Sequence, residues 1–302
     1  MDCRHLRAMH GAGREGESRR LWAALGITAG ILVAQVIGGF ISGSLALLAD
    51  AGHMLSDIGA LAVALFALWM AARPAPPGKT FGYHRMEILS ALFNSVLLIV
   101  LALFVFYAAW DRLRTAPEVH TRPMLIVAGV GFLANLVAVY ILAGRASGSL
   151  NIRGALAHLL GDAASSLGVI LGGVLMAVTG WYRVDALISM GIGVIILAGA
   201  WRLLREVVDV LLEATPRGID PRQVAGAILE VPGVDQVHDL HIWSITSGMP
   251  ALSGHVVAAP SGGRPQDDLL RRVKQMLRER YQIEHTTLQV ESPDYGDPRQ
   301  VH

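Results

Sequence analysis

Ser44-Leu45-Ala46-Leu47-Leu48-Ala49-Asp50-Ala51-Gly52-His53-Met54-Leu55-Ser56-Asp57 is an apolar run broken by one imidazole and two carboxylates. The chain carries a second version of it. Ser147-Gly148-Ser149-Leu150, His158, Leu160 and Asp162 match Ser42-Gly43-Ser44-Leu45, His53, Leu55 and Asp57 at a constant offset of 105 residues, seven identities in sixteen positions. In both versions the His and the Asp stand four residues apart. Positions i and i+4 share one helix face, so each helix can aim one imidazole and one carboxylate at the same point.

The surroundings say what kind of helices these are. Of the 302 residues, 53% are hydrophobic and 16% are Asp, Glu, Lys or Arg, with a mean hydropathy of +0.48; a soluble domain carries about 25% charged residues. Apolar stretches of spanning length occur at 21–42, 45–72, 88–110, 123–144, 154–179 and 184–201. A membrane α-helical protein with six transmembrane helices is therefore expected over 21–214, after a polar tail at 1–20. Arg4, Arg7, Arg14, Arg19 and Arg20 fill that tail, with no apolar run ending in a small-residue cleavage site, so no removable signal peptide is expected. The net charge of +1 gives no reason to expect nucleic-acid binding, and the single cysteine, Cys3, excludes an intrachain disulfide framework and a Cys-rich zinc module.

Orientation follows from basic residues at the helix ends. The N-terminal arginines, Arg73, Lys79, Arg85, Arg145 and Arg153 lie on one side, against Arg112, Arg114, Arg122 and Arg183 on the other. The positive-inside rule then puts both termini in the cytoplasm. The two repeated segments lie three spans apart, so they run in opposite directions. From Ser44 to His53, and from Ser149 to His158, is nine residues, or about 13.5 Å of helix against an apolar core of about 30 Å. Both histidines come to similar depth near the midplane. Inverted repeats with a substrate site at their interface are a transporter architecture.

His53, Asp57, His158 and Asp162 would supply two nitrogens and two oxygens, a set suited to tetrahedral zinc. The bland alternative is that each His and Asp pairs privately between helices. Two copies at matched depth, with no basic residue near the centre of any span, favour metal. An Asp at the centre of a span costs about 2.5–3.5 kcal/mol on insertion scales, and a divalent cation cancels both charges. When the metal leaves, the same ligands take up protons, which links the two ions. Asp50, about 4.5 Å from His53 along the same helix face, is an accessory group that relays protons or receives the ion, or else a carboxylate held by Ser, Asn or water. Gln35, Asn94 and Asn135 read as helix–helix hydrogen-bonding residues.

From Thr215 charges return at soluble-domain density. Residues 221–230 read as a helix, 235–246 and 251–259 as strands around the turn Ser247-Gly248-Met249-Pro250, 265–281 as a charged helix and 286–291 as a strand. This αββαβ order predicts a small α+β domain over 215–292, followed by a tail at 293–302. About 75 residues is marginal for independent stability, so pairing with a second copy is expected. If the hairpin centres between Gly248 and Met249, Ile242 faces His255, and by alternation His238 and His255 share one side of the sheet while His241 takes the other.

The Ser44 to Asp57 segment, Phe81-Gly82-Tyr83-His84-Arg85-Met86-Glu87-Ile88-Leu89 and His238-Asp239-Leu240-His241-Ile242-Trp243 together resemble the cation diffusion facilitator family, closest to its bacterial zinc and cobalt-zinc-cadmium efflux branch. The resemblance covers nearly the whole chain beyond the N-terminal tail. It implies a homodimeric zinc/proton antiporter of the bacterial inner membrane, not an enzyme, with zinc carried on His53, Asp57, His158 and Asp162, cadmium or cobalt as further substrates, and a ferredoxin-like cytoplasmic domain. His rather than Asp at position 53 is regarded as favouring zinc over cadmium. It further implies regulatory metal on His238, His255, His285 and Glu291, for which ordinary surface residues are the alternative, and a dimer-holding salt link between Arg85 and Glu213. Two departures stand out: Pro74 to Thr80 contains none of the ligands some relatives place in that loop, and Gly144 to Gly154 has no His-rich insertion. Cys3, His5 and His10 form a weaker candidate zinc-collecting group.

Two other functions use the same four residues. An intramembrane metalloenzyme would need an open coordination position and a nearby Glu as base, yet no HExxH or central Glu occurs in a span. A membrane-anchored zinc sensor would need an output element beyond the small C-terminal domain.

Overall fold

The computed structural model describes residues 26–71, 73, 75–143, 150–259 and 266–292. The first six helices are α1 (Gly26–Ser42), α2 (Leu45–Ala71), α3 (Met86–Thr115), α4 (Thr121–Ala143), α5 (Leu150–Thr179) and α6 (Arg183–Leu211). Over their described residues four of them, α3 to α6, are long and apolar enough to cross a membrane; the apolar segments described in α1 and α2, Gly26–Ser42 and Leu45–Ser56, are shorter. A C-terminal α/β domain follows, with α7 (Pro221–Leu229), β1 (Val234–Thr246), β2 (Met249–Ala258), α8 (Gln266–Tyr281) and β3 (His285–Glu291).

The described residues fall into two compact units, one drawn from Met1–Leu61 and Val96–Trp201, the other from Ala62–Ser95 and Arg202–His302. The first unit packs through small residues. Ala46, Ala49, Ala102 and Ala128 are buried beside Leu47 and Met124, letting helix backbones approach closely where no hydrophobic effect drives them together. Gly172 and Gly173 of α5 face Ile188 of α6 and Leu125 of α4 respectively, with no room for a Cβ.

Helix ends gather at one end of this unit. Gly43, at φ +68, turns α1 into α2 in a left-handed conformation natural only to glycine. Its carbonyl accepts a hydrogen bond from Arg112 of α3, and Ser42 O accepts one from His120 N, just before α4, at 2.9 Å. Asp185, in the first turn of α6, caps α2 from outside: it accepts from Leu45 N at 2.7 Å, Ala46 N at 3.3 Å and Ser44 Oγ at 2.6 Å. Arg112 Nη1 lies 3.1 Å from the same carboxylate and balances its charge.

In the second unit, α7 starts at an Asp220 cap that accepts from Arg222 N at 2.9 Å, with Pro221 at its first position. Val224 and Ile228 of α7, Val273 and Leu277 of α8, and Ile242 and Leu252 of the sheet form one core. The strand order is β1-β2-β3, antiparallel between the first two and parallel between the last two. The order αββαβ is the one read from sequence, but the hairpin register is not. Thr246 pairs with Met249, so Ser247 and Gly248 alone make the turn, with Gly248 at φ +71. Ile242 faces Leu252, and His238 faces His255. The turn position and an irregularity between Ser244 and Thr246 set Ile242 against Leu252; a bulge between His238 and His241, where Asp239 adopts φ +51 and Gly254 lies opposite, then sets His238 against His255. A Cβ on Gly254 would come within 3.1 Å of Leu240 Cδ1.

Candidate metal centres

The clustered helix ends fix the direction of the two repeated segments. α2 begins at this end, at Ser44 and Leu45. α5 finishes close by, because only residues 180–182 separate it from α6, whose Asp185 holds α2. The two helices are therefore antiparallel. Their register comes from a hydrogen bond of Ser165 Oγ on α5 to Asp50 Oδ1 on α2. Three residues on from Asp50 is His53, and three back from Ser165 is Asp162. With equal rise on both helices these fall at one level, and Asp57 falls level with His158 about 6 Å further along. Asp162 is buried and His53 half-buried. The side chains of Asp57 and His158 lie outside the described residues.

Asp50 is the most fully defined polar group here. It is 3% exposed, and its second oxygen accepts from Gln35 Nε2 of α1 at 2.6 Å. Gln35 thus bonds between helices as expected, and Asp50 is held by Ser165 and Gln35. Asn94 is buried. Asn135 departs from expectation: it is fully buried, and neither of its amide atoms has a hydrogen-bond partner.

The register shift in β1 builds a second cluster. His238 and His255 meet edge to face with ring centres 5.0 Å apart. Glu291, which β3 brings alongside β2 at Val257, is 6% exposed; its carboxylate lies 3.1 Å from His238 Nε2 and 2.8 Å from His255 Nδ1. One ligand atom from each of the three lies within 4.8 Å of the others. Two imidazoles and a carboxylate that small side-chain rotations can close are a donor set that fits zinc. Gln289 Nε2 donates to Glu291 Oε1, the oxygen that also faces His255, at 3.0 Å. Asp239 reaches His255 Nε2 from the other side at 3.8 Å and receives His241 Nε2 at 3.0 Å. That hydrogen bond from His241 holds the Asp239 carboxyl below the usual carboxylate range. His241 is exposed and outside the cluster, as expected.

His285 does not join this cluster. It pairs with Ala251, four residues along β2 from His255, roughly 13 Å away at strand rise. Arg85 Nη2 and Glu213 Oε1 meet at 3.0 Å within one chain, both well exposed. Cys3, His5 and His10 lie outside the described residues.

Family models match both parts: a cation efflux transmembrane domain over residues 21–212 and the cytoplasmic domain of cation efflux proteins over 216–293. The chain belongs to the cation efflux family. The metal cation efflux system protein CzcD of Cupriavidus metallidurans is 42% identical over 276 residues, 91% of this chain and 87% of that one. The zinc transporter ZitB of Escherichia coli is 38% identical over 285 residues, 93% and 90% of the two chains. A cadmium, cobalt and zinc/H(+)-K(+) antiporter of Bacillus subtilis is 39% identical over 266 residues, 87% and 85%. Among solved structures, the metal-bound C-terminal domain of the CzcD transporter covers 24% of this chain and 99% of its own at 42% identity, with a TM-score of 0.23. Members of the cation efflux family are metal cation transporters, and the metalloenzyme reading is set aside on that ground.

For this cation efflux protein, the residue the sequence reading passed over is Asp185. Its signal is a lone carboxylate at the start of an apolar span, paired with Arg112 at the end of another.

Proposed function

We propose that this chain is a zinc/proton antiporter whose transported ion sits on His53, Asp57, His158 and Asp162. The observation that carries the reading is the Asp50–Ser165 hydrogen bond, which sets the antiparallel α2 and α5 in a register where the two His/Asp pairs fall level with each other. Four ligands from two helices enclose a small ion, and two carboxylates cancel its charge. The resemblance to the zinc transporter ZitB and to the cadmium, cobalt and zinc/H(+)-K(+) antiporter of Bacillus subtilis favours the same substrate and mode of exchange.

Mechanistically, the ligands compete for Zn2+ and protons. Metal binding requires unprotonated imidazoles and carboxylates; release leaves two carboxylates in a low-dielectric setting that favours protonation. In this reading all six helices cross the membrane of a bacterium, both termini are cytoplasmic, and the helix ends held by Asp185 face outward. The C-terminal domain, of ferredoxin-like type, pairs two copies. Its His238, His255 and Glu291 cluster binds regulatory zinc. His285 stands outside that cluster in its own chain, and the Arg85–Glu213 pair braces the dimer at the cytoplasmic surface.

Reconstituted protein tests the coupling. A proton gradient alone, with equal zinc on both sides, accumulates zinc against its own gradient. Zinc movement indifferent to that gradient would make the protein a uniporter and end the antiport reading.

A further inference from the structure

Beside Asp50 lies a group of polar atoms that the transport centre does not use. Gln35 Oε1, Asn135 Oδ1, Asn135 Nδ2 and Ser166 Oγ are all buried without a hydrogen-bond partner. Gln35, Asn135 and Ser166 are each at most 1% exposed. Buried polar atoms are almost always paired, so a group of them marks a place where something else supplies the partners. Four helices contribute: Gln35 from α1, Asp50 from α2, Asn135 from α4, and Ser165 and Ser166 from α5.

Gly131 of α4 brings them together. A Cβ at that position would sit 3.6 Å from Gln35 Nε2 and 3.8 Å from Ser166 Oγ, with Ile31 Cγ2 at 3.3 Å. The amide and the hydroxyl thus face one spot kept free of a side chain by glycine. Asn135 follows one helical turn along the same face of α4. Apart from Asp50 the groups are neutral amides and hydroxyls, donors and acceptors both. They offer neither imidazole nor thiolate to a borderline-soft metal, and their mixed polarity suits water, which satisfies about three buried groups at a time.

We propose that Gln35, Asp50, Ser165 and Ser166 enclose a water-binding site one helical turn outward of the transport centre, with Asn135 closing its inner side toward that centre, and that its waters replace protein ligands on zinc as the ion leaves. The inference rests on the transport centre proposed above. Asp50 lies about 4.5 Å, and Ser166 about 6 Å, along their helices from His53 and Asp162, both toward the end that holds Asp185. An ion giving up four protein ligands needs oxygen donors at hand, and ordered water held here provides them without a full trip to bulk solvent.

Radiolytic hydroxyl-radical footprinting of the full chain in lipid nanodiscs reads bound water directly, at the peptide containing Ile31. Wild type labels there above background. The near-isosteric pair Asn135→Leu with Ser166→Ala lowers that labelling about fivefold, leaves the number of zinc ions bound unchanged and slows outward zinc flux about tenfold. Gly131→Val, which fills the space without removing a polar group, gives the same pattern; Ser166→Ala alone gives a weaker version if that variant does not fold. Absence of labelling in wild type, or a variant that loses labelling yet transports at full rate, overturns the proposal. Displacement of the label by sodium or potassium also overturns it, since a hard cation would then be the occupant. Asp162→Ala separates the two readings: normal zinc flux there refutes the transport centre, whereas the Ile31 label reports on the water site alone.

Discussion

Asp185→Ala tests whether the helix-end lock carries the weight the geometry gives it. The substitution removes three hydrogen bonds to the start of α2, from Ser44 Oγ at 2.6 Å, Leu45 N at 2.7 Å and Ala46 N at 3.3 Å. Loss of such a cap costs about 1 kcal/mol. It also strips Arg112 of its counter-charge, and breaking a buried pair costs about 3–5 kcal/mol. Arg112 is 24% exposed, against 1% for Asp185, so water and the Gly43 carbonyl recover part of that loss. The net expectation is about 3 kcal/mol, more than a hundredfold in the folding equilibrium. Reversible unfolding in mixed detergent–SDS micelles measures it. Arg112→Ala closes a double-mutant cycle, in which the pair should show a coupling of about 1.5 kcal/mol. A loss below about 0.5 kcal/mol for Asp185→Ala, or strict additivity with Arg112→Ala, would refute the reasoning.

Three further outcomes are expected. His53→Asp replaces a fixed nitrogen donor by a carboxylate that binds through one or both oxygens, so the variant keeps zinc flux, gains cadmium flux and depends more steeply on pH; zinc and cadmium uptake measured side by side over pH 6 to 8 decides it. His238→Ala with His255→Ala raises the zinc concentration for half-maximal transport while leaving transport intact, and an unchanged concentration dependence returns those residues to an ordinary surface role. Gly172→Val drives a side chain into Ile188, whose Cδ1 already lies 1.9 Å from where a Cβ would be; overpacking of this kind costs about 1–3 kcal/mol, visible as lowered thermal stability.

Much of this protein is legible from pattern, and the exceptions share a physical origin. The capping residues around Asp220 and Pro221, and the amphipathic charge pattern of α8, locate those helices to within a residue or two because local chemistry decides them. The repeated HxxxD is legible for the same reason: it is a spacing on one helix. What local pattern cannot supply is which strand residue faces which. The turn position, an irregularity between Ser244 and Thr246, and a bulge with Asp239 in a left-handed conformation opposite Gly254 together set the hairpin register, the last placing His238 directly opposite His255. His285 fails as a partner of that pair because parallel pairing with β2 seats it beside Ala251 and brings Glu291 alongside Val257 instead. Asp185 went unread since its partners, Ser44 and Arg112, are 141 and 73 residues away in sequence. Asn135 is the converse case, a polar residue whose helix–helix partner is not there.

X-ray absorption at the zinc edge tests the central claim most directly. The protein would carry His238→Ala, His255→Ala and Glu291→Ala, so that the C-terminal cluster cannot hold zinc. One zinc per chain should remain, four-coordinate, with two nitrogens at about 2.0–2.1 Å and two oxygens at about 2.0–2.2 Å, and adding Asp162→Ala should remove it. Zinc retained in that last variant, or a coordination shell without two imidazole nitrogens, would contradict a transport centre built from His53, Asp57, His158 and Asp162.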